Sequence, residues 1–577
     1  MKSRLNTVRS IVVSSRGASS DQGSIRNDNR QLGRYWGRAG ARILTMGAAL
    51  LGVAACGSGA PKTTQGTIGY VEGFLGGVAA DEPRAALIGR DILSSGGSAA
   101  DAAAAMYFAL AVTMPARAGI GGGGMCVVYD PKNPTAEVLD FTAPSPAAIS
   151  QAADRPSAIP TNPRGIFALQ ARYGRLLWKQ VVAPGERLAR FGHPVSRALS
   201  RDLAEVGPAL LADPSARAVF GQNGGATIAR EGTKIDQVDL AATMSLLRAR
   251  GVGPFYTGLF ARQLVDAVNS AGGSLSIEEL RNYTPQWRPT VRVDVGNDVA
   301  HFAPPPAAAS MVAASMIAML NKDGGFDGDG EGLRAHLVAE TGLRAFAARE
   351  TWLTAGGQGV GDFAAAVSKE NVETVMRGMT RERKADPQSF RPMAQNRHEP
   401  GASTAFAAVD PDGVAVSCAV SMNAKFGTGR IAPGTGILMA AAPGIGGRGP
   451  IDLAPMLIIN ENSHEFRMAA GASGGVAAPS ALSAVVMRLL ELEEPADVAV
   501  AAPRAHHGGD PDVTYHEPEL DGSAQQYLSA AGHRLAATPV LGQVNVLYCP
   551  KGLPADPASC EMTSDPRGAG LAAGSMK

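Results

Sequence analysis

The sequence predicts a mixed α/β protein built around a large core. Helical and strand-like stretches alternate from about residue 80 onward. Hydrophobic residues make up 45% of the chain, enough to bury an extensive interior. A hairpin signature, two apolar runs around Asp410-Pro411-Asp412-Gly413, opens the C-terminal third. The length of 577 residues fits three or four domains, or one large α/β unit. The 53 basic and 52 acidic residues leave a formal charge of +1, which points away from nucleic acid as a partner.

The N-terminal region reads as a leader. Residues 1–33 are polar and read as unstructured. Arg34, Arg38 and Arg42 precede an apolar run from Ile43 to Ala55, too short to span a bilayer. A basic flank, a short apolar core and small residues at the end describe a secretory signal peptide. Its end, Val53-Ala54-Ala55-Cys56-Gly57, resembles a lipobox, in which Cys56 becomes the lipidated first residue. The alternative is a plain signal peptide with an incidental cysteine. A start codon downstream of Met1 is also open. Residues 1–55 are thus read as leader and 56–68 as a flexible tether. The protein is expected to be exported, periplasmic and anchored to the membrane by lipid.

The elements follow in order. Asp81 to Leu93 reads as a helix, and Ala99 to Val112 as a buried, almost wholly apolar one. The glycine run Gly119–Gly124 leads into a strand, Met125–Asp130, whose hairpin partner is Glu137–Phe141. Residues 165–270 read as mainly helical, with breaks at Pro184-Gly185 and around Gly221–Gly225. Pro304-Pro305-Pro306 separates a strand (Thr290–Val295) from a helix (Ala308–Leu320). Residues 355–402 read as an irregular, mobile segment. The hairpin Thr404–Val420 follows it, then strands at Met456–Asn460 and Phe466–Gly471 and a helix at Pro479–Leu492. Strands near Val513–His516 and Val544–Cys549 close the chain.

Export implies an oxidising compartment. Cys549 and Cys560 bracket a turn-rich loop and are candidates to pair. Cys126 and Cys418 stand inside apolar strand patterns and read as two buried small hydrophobes. No Cys/His cluster has metal-ligand spacing, so no metal or other cofactor is expected. His506-His507 reads as part of a solvated loop.

Several motifs occur in one order. These are Gly96-Gly97-Ser98-Ala99-Ala100-Asp101-Ala102-Ala103, Gly119–Gly124, Tyr173-Gly174 with Pro184 and Gly192, and Phe255-Tyr256-Thr257-Gly258. Pro304-Pro305-Pro306, Gly427-Thr428-Gly429, Gly434-Thr435-Gly436-Ile437-Leu438 and Gly471-Ala472-Ser473-Gly474-Gly475 complete the series. From about residue 70 to 550 the chain thereby resembles the γ-glutamyltransferases (γ-glutamyltranspeptidases), N-terminal-nucleophile hydrolases. The resemblance implies a four-layer αββα sandwich and a precursor that cuts itself once. The cut falls between Ala402 and Ser403, giving a large region (69–402) and a small region (403–577) that pair as a heterodimer. Ser403 stands where the family has a nucleophilic Thr, and both side chains offer a hydroxyl on Cβ. Its free α-amine, with a pKa of about 8, would then serve as the base. By the same resemblance Gly474 and Gly475 form the oxyanion hole, Ser421 and Asn423 orient the nucleophile, and Thr404 follows it at the substrate site.

The sequence departs from the family where substrate is held. The family's carboxylate-binding Arg, after an Asp-Phe pair, is replaced by Thr142 after Asp140-Phe141. Its amine-binding Asp is missing from Met439-Ala440-Ala441-Ala442-Pro443-Gly444. A Ser-Ser pair is replaced by Ile451-Asp452. Arg117 and Asp452 are candidates for replacement charges, the alternative for each being a surface charge. Three functional readings follow: a γ-glutamyl hydrolase or transferase acting on glutathione-type compounds, an amidase or acylase for a non-glutamyl acyl group, and an uncleaved, inactive binding lipoprotein.

Overall fold

Two antiparallel sheets lie face to face between two helical layers. The computed structural model describes residues 73–323, 326–328, 330–354, 357–390, 401–444 and 452–575. The leader, Cys56, the tether, Ile451 and residues 391–400 of the irregular segment lie outside them. Thirteen strands build the sandwich: β1 (Gly76–Ala80), β2 (Gly123–Tyr129), β3 (Glu137–Phe141), β4 (Gln286–Pro289), β5 (Val291–Val295), β6 (Asp298–Phe302) and β7 (Ser403–Val409), then β8 (Ala415–Ser421), β9 (Ala454–Asn460), β10 (Glu465–Ser473), β11 (Gln543–Leu553), β12 (Glu561–Thr563) and β13 (Leu571–Ser575). The first sheet runs β13-β1-β7-β8-β2-β3-β4 and the second β12-β11-β10-β9-β6-β5.

Period-2 patterning decides which side chains meet. Met125, Val127, Ala407, Val409 and Ala419 of the first sheet face Leu457, Ile459, Ala469 and Leu547 of the second. The alternate residues, among them Val78, Cys126, Leu139 and Phe406, point outward under helices α1 (Pro83–Ser94), α2 (Ala99–Thr113), α3 (Trp178–Phe191) and α4 (Val238–Arg250). The outer face of the second sheet, including Phe302, Met456, Ile458 and Val546, lies under α5 (Ala308–Asp323), α6 (Glu331–Ala348) and α7 (Ala478–Glu491). This is the expected αββα order. Strands from before and after Ser403 are neighbours in both sheets, β1 beside β7 and β8 beside β2 in the first and β9 beside β6 in the second, so the two regions share one core.

Helix α2 shows how composition fixes packing. A capping box between Ser98 and Asp101 starts it, and all of its residues are buried. Its alanines let α1 and α3 close on it from both sides. The expected break at Pro184-Gly185 is absent, because α3 runs through both residues. Gly185 packs on Phe108 of α2, where an added Cβ would come within 2.6 Å of a backbone oxygen.

Other expectations change. Asp81 is not helical: it follows strand β1, and Glu82 caps α1 by accepting from the Ala85 N–H at 3.0 Å. Strands β1 and β13, unread in the sequence, pair with each other. Within 355–402, residues 363–366 and 369–375 are helical. Cys126 and Cys418 are directly paired across β2 and β8 and form a disulfide, not two separate thiols. Cys549 and Cys560 are joined as anticipated. His506 and His507 are buried, not solvated, because Ala505–His506 pairs with Thr514–His516. His506 meets Ser480 at 2.9 Å, and burial lowers its pKa to about 3.

Candidate active site

Strand register brings the candidate residues together. Ser403 begins β7 and is paired with Ser421, the last residue of β8. Ser421 is paired with Gly123 of β2, and the neighbouring Gly124 with Phe141 of β3. Thr142 therefore continues the same row. All four positions share the parity of residues that point between the sheets, at one end of the sandwich. With strands about 4.8 Å apart, Thr142 lies on the order of 14 Å from Ser403.

The peptide between Ala402 and Ser403 is held at several points. The Ala402 N–H donates to Asp452 Oδ2 at 3.1 Å. The Ala402 carbonyl accepts from Ser421 Oγ at 3.2 Å and from the Met422 N–H at 3.3 Å. Two donors on one carbonyl oxygen make its carbon more open to attack. The Ser403 hydroxyl belongs to the next residue and is fully buried, 3.4 Å from the Asp452 carbonyl oxygen it donates to.

Asn423 controls the direction of one of those donors. Its backbone sits in the left-handed region at φ 60°, which Asn tolerates better than most residues. This turn aims its N–H at Ser421 Oγ at 3.0 Å, leaving the Ser421 proton for the Ala402 carbonyl. The Asn423 side chain donates to Ala441 O at 3.0 Å. Ala440, Ala441 and Ala442 are all buried and give this wall no charge.

Gly474 and Gly475 follow β10 with φ of 108° and 72°, a conformation that favours glycine. Gly401 lies directly on them: a Cβ there would stand 2.5 Å from the Gly475 nitrogen. The backbone at Gly401 therefore covers the glycine pair.

The remaining candidates divide. Asp452 is buried beside Ser403; burial raises its pKa, opposed by hydrogen bonds from Ser403 and Ala402, and its Oδ1 has no partner. Thr142 turns its hydroxyl to Asp140 at 2.8 Å, and Asp140 also pairs with Arg288 at 2.8 Å. Thr404 is fully buried, and its hydroxyl donates to Asp81 at 2.8 Å. Arg117 is committed to a two-pronged pair with Asp202, at 2.9 and 2.8 Å, and is neither a free cation nor a surface charge.

Sequence reasoning missed Asp81, Met422 and Gly401. Asp81 stands at a strand–helix junction that the sequence makes look like a helix start. The other two act through their backbones, which leave no signature in residue type.

A family model described as gamma-glutamyltranspeptidase matches residues 85–442 and 446–575. The chain is 27% identical over 510 residues to scoloptoxin SSD14 of Scolopendra dehaani, covering 81% of this chain and 88% of that protein. It is 26% identical over 524 residues to the glutathione hydrolase proenzyme of Escherichia coli strain K12, covering 83% and 89%. Its fold is similar to that of cephalosporin acylase from Bacillus halodurans, with a TM-score of 0.72, 21% identity and coverage of 89% and 98%. For the gamma-glutamyltranspeptidase of Helicobacter pylori the TM-score is 0.50 at 25% identity, covering 55% and 95%.

Removing the Ser421 hydroxyl takes one of two donors from the Ala402 carbonyl. If Ser403 attacks that carbonyl and cuts the chain, Ser421→Ala is expected to slow the cutting by about a hundredfold, and Ser421→Thr to spare it. A time course of full-length chain on reducing gels reads the rate; wild-type speed in Ser421→Ala would remove this donor from the mechanism.

Proposed function

The chain belongs to the γ-glutamyltranspeptidase family of N-terminal-nucleophile hydrolases, and we propose that it is a self-processing amidohydrolase or acyltransferase with Ser403 as nucleophile. The observation that carries this reading is the Ala402 carbonyl, held by Ser421 and Met422 beside the Ser403 hydroxyl. In the first step Ser403 Oγ attacks the Ala402 carbonyl carbon. The C–N bond breaks, the hydroxyl proton goes to the nitrogen, and an ester results. Water opens the ester, leaving a carboxylate on Ala402 and a free amine and hydroxyl on Ser403.

The same residue then supplies nucleophile and base. Its α-amine, with a pKa of about 8, takes the hydroxyl proton as Oγ attacks an amide substrate. The proton passes to the departing amine, and the acyl group stays on Ser403 until water or another amine removes it. Gly401 leaves the glycine pair when its chain end is released. The Gly474 and Gly475 N–H groups then face the developing oxyanion, donors whose removal costs roughly 3–4 kcal/mol each.

The cut has a readout built into the fold. Cys126 lies before Ser403 and Cys418 after it, and they are bonded to each other. With reductant, mature protein is expected as two fragments, residues 56–402 and 403–577, and without reductant as one species. Ser403→Ala should give one band in both lanes. A single wild-type band under reduction would sink the self-processing reading in favour of an inactive binding lipoprotein.

Glutathione-type γ-glutamyl compounds are the first substrates to try, since several relatives are glutathione hydrolases. Asp452 favours a second reading, an acyl group without an anionic head. A carboxylate brought near Ser403 meets a buried acid, while the Arg288 guanidinium is engaged by Asp140. Charge-assisted hydrogen bonds contribute about 1.5–3 kcal/mol each, so loss of two predicts at least about a hundredfold weaker handling of a γ-glutamyl anilide than of a neutral acyl anilide of equal length. Equal kcat/KM for the two would return the assignment to γ-glutamyl substrates.

We also propose export, with lipid attached at Cys56 and the protein held at the membrane facing the periplasm. The two disulfides suit an oxidising compartment. Labelled palmitate should enter the wild type, and Cys56→Ser should lose the label and move to the soluble fraction. An unlabelled, soluble wild type would reject the anchor.

A further inference from the structure

Strand β7 is supported unequally on its two sides. Toward β8 the pairing runs to its first residue, Ser403 with Ser421. Toward β1 the pairing stops at Ala80 with Phe406, three residues short of Ser403. Asp81 follows Ala80, and its carboxylate takes over where the backbone ladder ends. Oδ2 accepts from the Ala405 N–H at 3.2 Å, from the Thr404 hydroxyl at 2.8 Å and from the Ser473 hydroxyl at 3.1 Å. Oδ1 accepts from Asn545 Nδ2 at 2.8 Å, and that nitrogen also reaches Ala405 O at 3.1 Å. The group is buried within the sandwich.

Resting on the reading of Ser403 as nucleophile, we propose that Asp81 is the positioning residue of this centre. It ties the nucleophile's strand to the loop of the glycine pair through one carboxylate. Thr404 directly follows Ser403, and Ser473 directly precedes Gly474. The distance between hydroxyl and oxyanion donors is therefore set by two hydrogen bonds to one oxygen atom. The need increases once the chain is cut. Ser403 then becomes a chain end, held by β8 on one side and by Asp81, through Thr404 and Ala405, on the other. All four groups facing Asp81 donate, and a carboxylate accepts from all of them. An amide there would turn an NH2 toward a donor.

The test is the rate of chain cutting in freshly folded precursor, followed on reducing gels, beside the Tm of each variant in a Ser403→Ala background. Asp81→Asn and Thr404→Val are expected to slow cutting at least tenfold, and Thr404→Ser, which keeps the hydroxyl, to match the wild type. The double variant Asp81→Asn/Thr404→Val should cut within twofold of Asp81→Asn alone, because both remove one link. Ser417→Ala is the structural control. It breaks the sheet-to-sheet bond from Ser417 Oγ to Ala470 O, 2.8 Å long, without touching Asp81, and should lower Tm while sparing the rate. If Asp81→Asn does not fold, the near-isosteric Thr404→Val decides. Wild-type rates in Thr404→Val, or equal slowing in Ser417→Ala at equal loss of Tm, would overturn the positioning role. A wild type that never cuts would instead overturn the nucleophile assignment and this inference with it.

Discussion

Gly471 of β10 and Ala405 of β7 meet across the sandwich so closely that a Cβ on the glycine would stand 2.8 Å from the alanine's. The contact lies two residues in from Ser403 on one sheet and three in from Gly474 on the other. Small residues at this end let the sheets approach until hydrogen bonds run between them, from Ser417 to Ala470 and through Asp81 to both. A side chain at Gly471 would meet the Ala405 Cβ and press the two sheets apart at this end. The geometry of this end depends on sheet spacing together with the Asp81 carboxylate that bridges the two sheets.

Much of this was readable in the chain. The hairpin around Asp410–Gly413 put a strand start at Thr404, and the family resemblance pointed to Ser403, Gly474 and Gly475. Alternation of apolar residues gave most strands of the sandwich, and the αββα order followed from the family resemblance. Failures share a physical cause: they depend on register, which one sequence does not contain. Cys126 and Cys418 are 292 residues apart and become partners only because β2 and β8 pair with those two residues opposite. Strand β1 is Gly-Gly-Val-Ala-Ala, with little strand propensity of its own, and forms because β7 and β13 flank it. Overlooking β1 placed Asp81 in a helix and hid its link to Thr404. His506-His507 had the polar, glycine-rich surroundings of a loop, and tertiary packing buried them.

The differences from the family pattern fall on one kind of group. The Ser421 hydroxyl and the Met422 N–H meet the Ala402 carbonyl beside Ser403, while Thr142 and the Ala440–Ala442 wall stand where the family resemblance expects charges for an amino-acid head group. Thr142 folds back on Asp140, the Ala440–Ala442 wall is uncharged, and Asp452 adds an acid with one unpartnered oxygen. In the proposed reading, bond-making geometry and substrate grip are carried by different residues. The second can therefore diverge while the first holds its spacing.

The Cys126–Cys418 bridge changes the molecularity of unfolding. An enzyme cut into two unlinked pieces unfolds by dissociating, so its apparent stability depends on concentration, and at high dilution the halves are lost to each other. Here one covalent link joins a strand from each side of Ser403 in the centre of the first sheet. Under the proposed cut before Ser403 the product would remain a single kinetic unit: its halves would stay together when they melt, and its midpoint would be independent of dilution.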